Sequence, residues 1–215
     1  ILDPAAGVVK AVNAAGVPVG TVYVGPDGSV YQVGYIANTD ETTLYRYSAT
    51  LTSPDDLDAD GSPYGGAYFD DDGTVYILTR LDNGNTQINR FNYDWGYVGY
   101  FDVEGTPSGD VVFLPGTNQG YFVIRTDGAT PGTYVTHIHS VNFDAFPPSS
   151  TVVIPGEPIG GPVLAADGNL YQVITGTNTI VRRLNGSDVY QVGGTAISQV
   201  VGDDTYLWVT TTEGD

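Results

Sequence analysis

Along most of this chain apolar and polar residues alternate over short runs that end in Gly, Pro, Asn or Asp. A period of two with frequent breakers predicts short β-strands joined by tight turns, and no segment carries a helical period. One hairpin unit recurs. Residues 21–24 (Thr-Val-Tyr-Val) and 30–33 (Val-Tyr-Gln-Val) flank the turn Gly25-Pro26-Asp27-Gly28. The unit returns at 66–78 around Asp72-Gly73 and at 162–173 around Asp167-Gly168, with weaker copies centred on 121–124 and 206–209. Asp-Gly between alternating apolar residues predicts a type I′ turn, with positive φ at both central positions.

A third strand follows each hairpin and carries an independent signal. Thr42 to Arg46, Thr86 to Arg90, Thr133 to His137 and Thr179 to Arg183 all read Thr-x-x-x-cation, and in a fifth copy Ala6 stands four residues before Lys10. Only seven Lys and Arg exist in the chain, so a register holding Lys10, Arg46, Arg90, His137 and Arg183 points to a structural repeat. A fourth strand is expected at 97–103 and 151–154 and is poorly marked elsewhere. The matched positions Tyr31, Tyr76, Phe122, Tyr171 and Leu207 lie 45, 46, 49 and 36 residues apart, and 39 residues separate the last from the first across the chain ends. Blades of four-stranded sheet need about 40–50 residues. The sequence therefore predicts one all-β domain over 1–215, a five-bladed β-propeller closed by N- and C-terminal strands sharing the last blade. The blades fall at 16–61, 62–105, 106–157, 158–194, and 195–215 plus 1–15. A β-sandwich predicts no such cation register, and an open fragment of a larger ring would leave sheet faces bare. Deleting residues 1–12 is expected to unlatch the last blade.

Composition narrows the partners. With 25 acidic and 7 basic residues the formal net charge is -18, which disfavours nucleic acid. No run of 18 apolar residues is present, so membrane insertion by a helix is not expected. The chain has no Cys, which excludes disulfides, thiolate metal sites and a Cys nucleophile. It also has no Met, so residue 1 is expected to follow processing or to lie within a larger polypeptide. Abundant Gly and Tyr with no Cys suit an extracellular or cell-surface protein.

Gly25 to Gln32, reading Gly-Pro-Asp-Gly-Ser-Val-Tyr-Gln, resembles the VGPDGTVYQ-type repeats of large surface or secreted proteins of mycobacteria and related actinobacteria. Gly16-Val17-Pro18-Val19-Gly20-Thr21 fits the same pattern, and the likeness is partial around Tyr76 and Tyr171. The resemblance implies location and architecture, and no active site.

Three groups of residues carry candidate chemistry. Asp56, Asp58 and Asp60 followed by Gly61 match the start of a calcium loop, where alternate carboxylates converge before a sharp turn. Position 12 of such a loop is Ala67, so this is no EF-hand, and a structural Ca2+ would take its last ligand from Asp55 or Asp70. Tyr93, Trp95, Tyr97 and Tyr100 crowd one connection and predict a stacking platform for a ligand, unless Tyr97 and Phe101 face the core and leave only Trp95 exposed. His137 and His139, two apart on a strand, share a face and have the spacing to hold zinc or copper, although the cation register already accounts for His137. The register cations are expected to pair with the hairpin aspartates Asp27, Asp72 and Asp167. No nucleophile–His–acid set and no phosphate loop is present.

The expected function is a non-catalytic binding or structural module, with an envelope glycan or a partner protein as ligand. The alternatives are a glycoside hydrolase of the kind some five-bladed propellers form, and a spacer without a ligand. A hydrolase needs acids on the innermost strands, and the cores of those strands carry none.

Overall fold

The computed structural model describes residues 2–3, 7–8, 14–25, 28–48, 54–70, 72–92, 94–117, 119–142, 145–202 and 206–212. Every regular element among them is a β-strand. Strands β1 (Leu2–Asp3) and β2 (Gly7–Val8) pair with each other. The first sheet runs β3 (Val17–Val24), β4 (Val30–Ile36), β5 (Glu41–Tyr47), β6 (Asp55–Asp60), in chain order from one edge to the other. The second sheet repeats this order with β7 (Ser62–Phe69), β8 (Val75–Arg80), β9 (Thr86–Phe91) and β10 (Tyr97–Val103). In the third, β11 (Thr106–Pro107) and β12 (Val112–Phe113) both pair with β13 (Gln119–Asp127), followed by β14 (Tyr134–Asn142) and β15 (Ala145–Pro155). The fourth comprises β16 (Glu157–Leu164), β17 (Leu170–Thr175), β18 (Thr179–Arg183) and β19 (Val189–Val192). Of the remaining strands, β20 (Thr195–Ala196) pairs with β23 (Thr211–Thr212), and β21 (Val201–Gly202) with β22 (Leu207–Trp208). Among the described residues no sheet closes on itself and β1–β2 joins no other sheet. No helix is long and apolar enough to cross a membrane among them.

The chain forms two compact units. One holds the first two sheets (Ile1–Asn83 and Gln87–Asp102), the other the remainder (Gly84–Thr86 and Val103–Asp215). In the first unit Tyr31, Val33 and Leu44 pack with Ala67, Val75, Ile77 and Phe91 of the second sheet. The other unit has two cores. Tyr121, Val123 and Ile138 meet Leu170 and Ile174, whereas Tyr171, Val173 and Val181 meet Ala196 and Val200. Strand β17 thus sends successive side chains into different cores, as the pleat requires of a sheet buried on both faces.

The hairpin turns differ from the sequence expectation. Gly25 N donates to Ser29 O and Gly28 N to Gly25 O, and the same pair of bonds recurs at Asp70–Thr74 and Ala165–Asn169. In the copy at 165–169, where every residue is described, this is a three-residue loop with Ala166 and Asp167 at negative φ followed by one left-handed residue. Gly28, Gly73 and Gly168 take that position with φ of 75°, 81° and 76°, while Asp72 and Asp167 keep negative φ. A type I′ turn needs positive φ at both central positions, which Asp72 and Asp167 do not adopt. Backbone in these turns is capped by Asp70, whose Oδ1 accepts from Asp72 N and Thr74 N, and by Asp167, whose Oδ1 accepts from Asn169 N.

A second repeated device went unread in the sequence. Gly-x-Pro-x-Gly occurs at Gly16, Gly61, Gly105 and Gly156, and Gly194-Thr-Ala-Ile-Ser198 is a degenerate fifth copy. Each leading glycine has positive φ and lies against the carbonyl of Tyr35, Arg80, Arg125, Thr175 or Thr212, where a Cβ would collide. Four of these glycine carbonyls are in turn held by buried threonines of the third strands. Thr42 Oγ1 donates to Gly61 O at 2.6 Å, Thr86 to Gly105 at 2.7 Å, Thr136 to Gly156 at 2.8 Å and Thr179 to Gly194 at 2.8 Å. This bond fastens the third strand of one repeat to the start of the next, and all four threonines are fully buried.

Candidate functional site

The threonine bonds fix the register of the third strands. In the third sheet the repeat threonine is Thr136, whereas Thr133 is exposed and bonds locally to Thr130 O. Arg46 lies opposite Tyr31 and Arg183 opposite Tyr171; four residues past Thr136 stands Ser140, opposite Tyr121, so the repeat match is Tyr121 and not the expected Phe122. His137 lies opposite Ile124 and is not in the cation register. The Thr-x-x-x-His match of Thr133 and His137 is coincidental and lies three residues before the true register. Lys10 lies outside the described residues.

Among the described residues the ion pairs of the register cations are with acids other than Asp72 and Asp167, and Asp27 lies outside the described residues. Arg46 bonds Asp55 at 2.7 Å and Arg183 bonds Asp188 at 2.9 Å, each acid coming from the adjoining fourth-strand side of the same sheet. Arg90 stands beside Tyr76, whose hydroxyl is pushed up by burial against the opposing effect of that guanidinium. Asp167 instead accepts from the Tyr171 hydroxyl at 2.8 Å. Burial and then this bond push Tyr171 up to about 12.

Asp56, Asp58 and Asp60 occupy a strand, β6, where a loop was expected. Leu57 and Ala59 turn inward to the core while the three aspartates face solvent. Side chains at i, i+2 and i+4 of a strand spread over about 13 Å, too far for three carboxylates to close on one ion at 2.3–2.6 Å. Among the described residues no group of three or more His, Cys, Asp or Glu is placed to hold a metal ion.

The aromatic connection is also reversed from expectation. Trp95 is half-buried: its ring lies 5.7 Å from that of Tyr31, and the Arg46 guanidinium caps it at 4.6 Å. Its loop has the same bonds as the hairpin turns, so Trp95, at φ 65°, takes the left-handed position that Gly28 and Gly168 take elsewhere. A bulky residue there costs about 1–2 kcal/mol, offset by core packing. Tyr97 and Tyr100 are the exposed rings, at 49% and 56%. Tyr93 lies outside the described residues.

Two separate candidate sets meet in the structure. Asp58 and Asp60 of β6 line one cleft of about 130 Å³ with Gln87 and Asn89 of β9 and Tyr97 and Tyr100 of β10. Gln87 and Asn89 are two apart and both nearly fully buried, so their amides point the same way. The Gln87 amide donates to Asp102 at 3.1 Å and the Asn89 amide to Thr79 at 3.3 Å. Gln87 and Asn89 were missed because buried polar residues on a third strand read as breaks in an apolar run.

Elsewhere, His137 and His139 share a face with rings 6.4 Å apart, as the spacing predicts. Each has its own partner: His137 Nε2 shares a hydrogen with Thr126 at 2.9 Å, and His139 Nδ1 with Thr151 at 3.0 Å. His139 stacks on Phe122 and is lowered to about 4, by burial first and the neighbouring His137 second. A larger cleft of about 420 Å³ is lined by Tyr171, Tyr190, Tyr206 and Trp208 with Asp167 at its rim. Buried Asp70 is raised by desolvation, but its bonds to the hairpin amides give it a structural task.

No family model matches the chain, and no curated protein matches it. Its structure is similar to the β-propeller domain of the Trilobed protease from Pyrococcus furiosus, described as having an open velcro topology. The TM-score is 0.60 at 10% identity, over 91% of this chain and 64% of that one. It is also similar to the acylaminoacyl peptidase of Pyrococcus horikoshii, with TM-score 0.53 and 6% identity over 83% of this chain and 33% of that one. At such identities the likeness shows the β-propeller fold alone, and this chain spans less than two thirds of either neighbour.

Proposed function

We propose that this chain is a non-catalytic glycan-binding module whose ligand seats in the cleft of Asp58, Asp60, Gln87, Asn89, Tyr97 and Tyr100. One observation carries this: two carboxylates and two buried amides converge beside two exposed tyrosines. Carboxylates and amides accept and donate in pairs to vicinal hydroxyls, and a phenol ring covers the C–H face of a sugar while its own hydroxyl stays wet. An extracellular or cell-surface setting agrees with the likeness of Gly25–Gln32 to actinobacterial surface repeats. Isothermal titration against a panel of envelope oligosaccharides tests the proposal. Binding that Asp60→Asn and Tyr97→Ala each weaken at least tenfold, at unchanged melting temperature, supports it. No binding, or binding indifferent to both changes, refutes it. Repeating the titration in calcium and then chelator shows whether Asp58 and Asp60 also recruit a cation.

The closed, five-bladed ring is part of the proposal. It is supported by the five leading glycines in one environment, and by the aromatic cleft beside the strands of residues 195–212, which have no third strand among the described residues. The proposed ring draws that strand from residues 1–15. The open velcro of the Pyrococcus furiosus domain is the competing arrangement. Removing residues 1–12 distinguishes the two: a closed ring loses cooperative unfolding, and an open one keeps its melting temperature.

A further inference from the structure

We infer a second binding site, for a small oxyanion, between the third and fourth sheets at Arg182. In the first sheet Tyr31, Arg46 and Asp55 lie side by side across β4, β5 and β6, the last two joined as an ion pair. The fourth sheet has Tyr171, Arg183 and Asp188 in the same order, again with the ion pair. The third sheet has the tyrosine, Tyr121, but Ser140 and Ser150 stand where the first and fourth sheets have Arg and Asp. Two short hydroxyls in place of a guanidinium and a carboxylate leave space, and a cleft of about 180 Å³ opens there.

Arg182 of β18 lines this cleft from the fourth sheet. It alternates with Arg183, so its side chain leaves the opposite face, the one from which Leu184 and Ile180 pack toward Tyr121 and Ile138. Three other arginines have carboxylate partners: Arg46 with Asp55, Arg125 with Glu157 and Arg183 with Asp188. Arg182 has no ion pair among the described residues, and no acid lines its cleft. In a chain of net charge -18 a cleft with one guanidinium and no carboxylate is an exception to the general field.

The other polar groups suit the same ligand. Ser140 and Ser150 hydroxyls lie 2.7 Å apart and either can donate; with Ser140 donating, exposed Ser150 keeps its proton for a ligand. Tyr121 and Gln119, two apart on β13, add a phenol and an amide to the lining. The volume equals about six water molecules, enough for a tetrahedral anion with part of its hydration. A guanidinium fork with hydroxyl donors recognises phosphate, sulfate and carboxylate alike. The ligand class is therefore an oxyanion, free or borne on a larger molecule.

The test is calorimetric titration of the intact chain with inorganic phosphate, sulfate and glucuronate, at ionic strength held constant with chloride. Saturable one-to-one binding of at least one of these is expected, weakened about tenfold or more by Arg182→Gln. The double substitution Ser140→Arg with Ser150→Asp, which installs the ion pair of the first and fourth sheets, is expected to fill the cleft and abolish binding while keeping the melting temperature. Preference for phosphate or sulfate identifies a tetrahedral group, and preference for glucuronate an acidic sugar. Binding that survives Arg182→Gln, that chloride reproduces, or that is absent at tens of millimolar anion overturns the inference.

Discussion

The placement of the repeat threonine in the third sheet can be settled by one pair of substitutions. Thr136 is fully buried and donates to Gly156 O at 2.8 Å, whereas exposed Thr133 donates to Thr130 O at 2.6 Å. Valine has nearly the volume of threonine, so Thr136→Val creates no cavity; it removes a donor and strands a carbonyl away from water. An unsatisfied buried group costs about 1–3 kcal/mol. In Thr133→Val water replaces the lost partner, and the change should stay within about 0.5 kcal/mol. For a chain of this length 2 kcal/mol lowers the melting temperature by about 4–8 °C. Equilibrium urea unfolding of both variants measures the difference directly, and an unchanged m-value guards against a loss of two-state behaviour. Thr42→Val, Thr86→Val and Thr179→Val should match Thr136→Val. If Thr133→Val costs as much as Thr136→Val, the bond between repeats does not carry the stability assigned to it.

Two more outcomes follow from particular contacts. His139 is lowered to about 4 in the fold, so its contribution is complete above the unfolded value near 6.5 and is lost as pH falls through about 4. That is about 3 kcal/mol over the window, and His139→Phe should flatten this part of the stability–pH curve; an unaltered slope would contradict the assignment. At Gly109, φ 70°, a Cβ would collide with the backbone of Gly161, while at Gly28, φ 75°, it meets nothing within 4 Å. Gly109→Ala should destabilise by about 2–5 kcal/mol and Gly28→Ala by about 1–2 kcal/mol, and equal melting temperatures would refute the close approach.

The four-stranded antiparallel unit was legible because its hairpins combine a period of two with Asp-Gly turns, and β10 falls where the apolar run at 97–103 places it. What failed did so for local reasons. Strand β6 is an edge strand that buries only Leu57 and Ala59, so its aspartates overwhelm the alternation and imitate a calcium loop. Trp95 lies inside because Arg46 and Tyr31, nearly fifty residues or more away in sequence, cover it, a contact that no local pattern encodes. The cleft of Asp58, Gln87 and Tyr97 joins three strands from two repeats. Its separate parts were visible, but their meeting depends on how one sheet packs on the next.

The acidity of β6 has a further consequence for how copies of this chain behave when crowded. A free sheet edge invites the strand of a neighbour, and here two edges answer differently. On β6 any added copy of the same strand would bring aspartates within about 5 Å of one another, a repulsion near 1 kcal/mol per pair even in water. Edge β19, Val-Tyr-Gln-Val, is exposed along its whole length and carries no charge. Self-association should therefore begin at β19. Added salt, which screens aspartates and leaves apolar side chains as they were, erodes the guard on the first sheet without supplying one to the fourth.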